Sequence, residues 1–61
     1  MKYFQHIVIE DGIKRTRYFQ PEGTGMCIPH DPMNTDYSRM MEGVNADPPT
    51  NTIEEVDDTP E

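Results

Sequence analysis

Two runs near the start of the chain mix apolar and aromatic residues with polar ones: Tyr3 to Ile9 and Ile13 to Phe19. Both are rich in β-branched and aromatic side chains, which fit a pleated, half-buried surface. Asp11-Gly12 stands between them, and an Asp-Gly pair between such runs is a strong hairpin signal, because both central residues of a tight turn take positive φ. The pattern predicts a β-hairpin over residues 2–20. Two registers compete. A two-residue Asp11-Gly12 turn pairs Glu10 with Ile13, whereas a three-residue loop with Gly12 in the left-handed region pairs Ile9 with Ile13. The second gathers Tyr3, Ile7, Ile9, Ile13 and Phe19 on one face and is preferred, since register follows the buried face.

Residues 21–25 read as a loop, with Pro21 unable to donate to a ladder and two glycines flanking Thr24. Met26-Cys27-Ile28 resumes a short apolar run with the length of a small third strand, which Pro29 ends. Apolar side chains then recur at Met33, Tyr37, Met40, Met41 and Val44, a stripe at helical spacing. The pattern predicts one helix over about 32–43. Asp31 serves as N-cap, Pro32 as the first helical residue and Gly43 as the stop, with Asn34 as an alternative cap one turn later. Asp36 then sits near the positive helix end. About three turns do not persist alone, so the helix must dock across the hairpin.

From Asn45 to Glu61 the pattern fades: prolines, threonines and acids, with Ile53 and Val56 the only large apolar residues. The reading is a body over 1–45 and an acidic, proline-containing tail over 46–61, extended and unstructured unless a partner captures it. Thr52-Ile53-Glu54-Glu55-Val56 has the composition of a strand that adds to a neighbour's sheet. The expected fold is small α+β: the hairpin, room for a short third strand, one short helix and the tail.

Charge sharpens this division. Of the net −7, residues 1–44 carry five bases against six acids, while 45–61 carry six acids and no base. A polyanionic tail on a nearly neutral body excludes phosphate-backbone binding, which needs a basic face. Sixty-one residues with 33% hydrophobic content and no tryptophan make a marginal core. One cysteine forms no internal disulfide. The expectation is a chain whose apolar surface is completed by others, either as a homo-oligomer or as an accessory subunit. The first apolar run is broken by Gln5 and His6 and lacks a cleavage site, and no run approaches the ~20 residues of a membrane span. A soluble protein made in the cytoplasm, with no membrane or nucleic-acid partner, is expected.

The candidate chemistry is thin. Cys27-x-x-His30 has ligand-like spacing and His6 offers a third position, but a structural zinc takes four ligands. A thiol and an imidazole three residues apart on an extended segment do not meet as nucleophile and base. Asp31, Asn34 and Asp36 suggest a calcium loop, yet Met33 and Thr35 stand where its oxygen ligands belong. Capping accounts for them better. No cofactor, metal or catalytic residue is assigned, and an enzyme is not expected. Met33, Met40 and Met41 fit core packing, and methionine also makes adaptable contact surfaces. With Ile53, Glu54, Glu55 and Val56 of the tail they form the candidate partner-binding set. Arg15 and Arg17 on the second strand are placed to pair with acids of the tail or of a neighbour.

The string Ile28-Pro29-x-Asp31-Pro32-x-Asn34-x-Asp36-Tyr37 resembles a motif of small bacteriophage and prophage proteins and of tail-fibre-like segments. There a short β segment leads through this motif into an amphipathic helix and an acidic, proline-containing tail. The match runs from about Ile28 to Asn45, roughly a third of the chain. It departs in the helix, where Arg39, Met40 and Met41 replace an aromatic and a Leu-Trp pair, and Val44 separates the usually adjacent Gly43 and Asn45. The resemblance implies a phage-encoded structural or accessory protein. It would sit in the virion as a tail, baseplate or capsid-associated subunit and contact other virion proteins. The alternative is a phage-encoded inhibitor whose acids bind a basic surface of a host protein.

Overall fold

The computed structural model describes residues 1–60; Glu61, the last residue of the acidic tail, lies outside the described residues. Its order is β1 (Lys2–Glu10), β2 (Ile13–Pro21), α1 (Thr35–Val44) and β3 (Thr52–Asp57). The strands form one sheet in the order β2-β1-β3, with β2 antiparallel and β3 parallel to β1. The α+β expectation of a hairpin, a third strand and one short helix describes this fold.

The hairpin turns through two residues. Asp11 has φ 52° and Gly12 φ 75°, and Glu10 pairs with Ile13. This is the register that the pattern ranked second. Positive φ at both central residues matches the turn to the twist of the strands, and Ile13 is left 59% exposed on the face away from the helix. Farther along the ladder, an irregularity between His6 and Ile7 leaves Arg17 as an extra residue: Ile7 pairs with Thr16, but His6 pairs with Tyr18. One inserted residue shifts the parity of side-chain faces. Phe19 thereby joins Tyr3 and Ile7 on the inner face, as the rejected register required by other means.

On that face Tyr3, Phe19, Ile28 and Met40 are buried together, and Tyr37, Met41 and Ile53 pack around them. Met40 and Met41 are therefore core, as ordinary packing predicts. Met33 is not: it lies before α1 and is 89% exposed, so the methionine stripe is broken at its first member. The cause is the helix start. Asn34, not Asp31, is the N-cap, and its side chain accepts from the Tyr37 amide at 3.1 Å. Gly43 is not the stop either. It is buried inside the last turn, Val44 ends the helix and Asn45 caps it. A Cβ on Gly43 would collide with the side chains of Asn51 and Thr50, and the Gly43 carbonyl accepts from the Thr50 amide at 3.0 Å. The residue serves close approach rather than termination.

Met26–Ile28 contributes one bridge rather than a strand: Phe19 and Ile28 exchange both backbone hydrogen bonds, at 2.8 and 2.7 Å. The third strand instead comes from the acidic segment, on the free side of β1, where Lys2 pairs with Thr52 and Ile7 with Asp57. A partner is not needed to extend it, because this chain's own first strand offers the edge. Ile53 then faces the core and Val56 pairs with His6.

Candidate interaction surface

The segment from Ile28 to Tyr37 is built as a corner. Buried Ile28 anchors it to Phe19. The Pro29 carbonyl accepts from the Asp31 amide at 2.9 Å, and the Asp31 carbonyl accepts from the Asn34 amide at 2.9 Å. Asp31 Oδ1 accepts from the Met33 amide at 2.9 Å, a side-chain turn that competes with helix and so delays it. Ser38 Oγ donates to the Pro32 carbonyl at 3.2 Å, tying the first turn back to the corner. Asp36 lies in that first turn, where its charge suits the exposed amides. Tyr37 packs beside Phe19 and His30, with ring centroids 5.7 and 5.4 Å apart. The Asp31 and Asn34 side chains are both spent on backbone amides of the motif itself.

The three soft ligands are dispersed. Cys27 is exposed, His30 meets the edge of Phe19, and His6 is on the opposite face of the sheet. No group of three or more His, Cys, Asp or Glu able to hold a metal ion occurs among the described residues. Among the described residues no helix is long and apolar enough to cross a membrane.

On the outer face, His6 stacks on Tyr18 at 4.5 Å and hydrogen-bonds through Nδ1 to Asp58 Oδ2 and through Nε2 to Gln20 Oε1, both at 2.9 Å. Gln20 Nε2 donates to the Thr24 carbonyl at 2.6 Å. Arg17 Nη1 reaches the same Asp58 oxygen at 3.5 Å, so one acid of the tail does meet the second strand. On the inner face, Lys14 and Glu55 join at 2.6 Å across β1. Thr59 extends the ladder: its hydroxyl accepts from the Ile9 amide at 2.8 Å. Hydrogen bonds from the Thr59 side chain and amide, helped by the nearby Lys14 charge, hold the Asp57 carboxyl below its usual range, so it stays ionised in the native state. These groups lash the acidic segment to the hairpin. Sequence reasoning paired arginines with tail acids but had no signal for His6, whose partners sit in two other segments.

The sheet keeps two lateral edges. The Thr52 amide donates to Met1 O and the Asp58 amide to Ile7 O, so the even-numbered residues of β3 face β1. By the two-residue period, the backbone groups of Ile53, Glu55 and Asp57 point outward. On β2, Phe19 is covered by Ile28, and the run from Ile13 to Tyr18 has no strand beside it among the described residues. In the two-residue hairpin Ile13 and Arg15 bond to β1, leaving the Lys14 and Thr16 backbone groups outward. Of the partner-binding set, Glu54 and Glu55 are exposed at the β3 edge, Val56 is half-buried on the outer face, and Met33 stands out beside the corner. Met40, Met41 and Ile53 are committed to the core.

The chain matches no family model, no curated protein and no solved structure.

Proposed function

We propose that the chain is a non-enzymatic phage structural or accessory protein, a small virion subunit that works through protein–protein contacts. The observation that carries this reading is the pair of uncovered edges on a three-stranded sheet, each with a row of unpaired backbone groups ready to accept another strand. The polar cluster on the outer face, His6, Asp58, Gln20 and Arg17, spends its hydrogen bonds holding two segments in place. The Ile28-to-Tyr37 corner, whose sequence resembles phage proteins, leaves Met33 exposed as a further contact point. Mass spectrometry of purified particles tests the role: the chain is expected among virion components, and its absence there would overturn the reading. The acidic outer strand, with Glu54, Glu55 and Asp57 all exposed, favours as a second reading an inhibitor of a basic host surface. In that case the chain is recovered with a host protein from infected cells and is missing from particles.

A further inference from the structure

The two open edges differ in sign. The uncovered run of β2 carries Lys14, Arg15 and Arg17, and β3 carries Glu54, Glu55 and Asp57. Arg15 and Asp57 make no ion pair among the described residues. The pairs that the others make within the chain, Lys14–Glu55 at 2.6 Å the shortest, have at least one partner open to solvent, where such pairs contribute little each. A two-fold dimer through either edge would set like against like: arginines and a lysine on one axis, acids on the other. Cross-strand like charges are destabilising and opposite charges stabilising. Only the union of the β2 edge of one copy with the β3 edge of another brings opposite signs together.

We propose that the chain self-associates head-to-tail, the β3 edge of one copy pairing with the β2 edge of the next. This names a second copy of the chain as one partner in the role proposed above. The topology suits it. Because β3 runs parallel to β1 and β2 antiparallel, a copy placed alongside with its helix on the same face presents β2 antiparallel to β3. The uncovered run, Ile13 to Tyr18, holds the Arg17 bulge and so spans five ladder positions, one fewer than the six residues of β3. It lies opposite β1 residues 6–10, whereas β3 lies opposite residues 2–7. Successive copies must therefore slide along the strands by three to four residues, about 12 Å. A heterologous contact with such a shear does not close on two copies; it builds a helical row or a larger ring.

The test uses two copies, each blocked at one edge. Glu55→Pro removes the outward amide at the centre of β3, and Lys14→Pro does the same on β2; neither amide serves the ladder to β1. Circular dichroism and two-dimensional NMR first establish that both variants fold. Glu55→Lys and Lys14→Glu replace either one that does not. By sedimentation velocity near 0.15 M salt, the unmodified chain is expected to grow past twice the monomer mass with concentration. Each blocked copy alone stays monomeric, and the 1:1 mixture forms a heterodimer through its one intact pair of edges. Adding Arg15→Glu to the Glu55→Pro copy weakens that heterodimer roughly tenfold. A mixture that stays monomeric, or an unmodified chain that is monomeric or stops at a dimer, would overturn the proposal. Particle content bears only on the virion role, so the two readings fail separately.

Discussion

Asn34 and Asp31 are both residues that cap helices, and they stand three apart before the same helix. The structure assigns them different work: Asn34 accepts from the third helical amide, while Asp31 closes a turn on Met33. Asn34→Ala should therefore cost about 1 kcal/mol in urea unfolding, and Asp31→Ala a few tenths. Equal effects would place the cap elsewhere. The sequence made both visible but ranked Asp31 first, because Pro32 is a good first helical residue after Asp31; it is as good a turn residue before Asn34. Gly43 was legible only as a generic stop. Its neighbours Thr50 and Asn51 are distant in pattern and close in space, and Asn51 Nδ2 is pinned by the Met40 carbonyl at 3.1 Å. Gly43→Ala gains about 1 kcal/mol of helix propensity but must displace that side chain, at about 1–3 kcal/mol. Net destabilisation in thermal melts is expected. A stabilised variant would mean that Asn51 moves freely.

At the scale of elements, the hairpin and helix were written in periodicity, and the bulge was not. The preferred register correctly put Tyr3, Ile7 and Phe19 on one face but sent Ile13 there as well. The molecule satisfies the tight Asp11-Gly12 turn at one end and the buried face at the other by letting Arg17 bulge. Neither a glycine nor a proline marks that position, so sequence alone had no signal for it. Deleting Arg17 leaves every other strand pair intact and removes a weak ion pair at 3.5 Å and an exposed cation–π contact with Tyr18 at 5.7 Å. The shortened chain should fold with the same cross-strand contacts by NMR, within about 1 kcal/mol of the parent. Loss of the His6–Tyr18 contact would show that the bulge's twist is itself needed.

For the whole molecule, the decisive element is β3. Its strand-forming composition was readable at Thr52 to Val56, but nothing local announced that the edge awaiting it was β1, some fifty residues earlier. Truncation after Asn45 removes Ile53 from the core, the Thr50 and Asn51 contacts with Gly43, and the whole ladder on one side of β1. A two-stranded hairpin with one short helix has little stability of its own. The truncated chain should lose cooperative urea unfolding; a cooperative transition at the parent midpoint would make the segment dispensable.

The same ladder sets an order of events in time. The hairpin contacts are local and can form within microseconds, whereas Ile9 and Thr59 are 50 residues apart in the chain and meet only after a long loop has closed. Docking of β3 is thus the step most naturally left until last. Ile53→Ala should then accelerate unfolding while leaving the refolding rate nearly unchanged in stopped-flow circular dichroism, and Gly12→Ala should slow refolding. Until that last strand arrives, β1 has one side bare, and each newly made molecule passes through a stage in which another copy's β3 competes with its own.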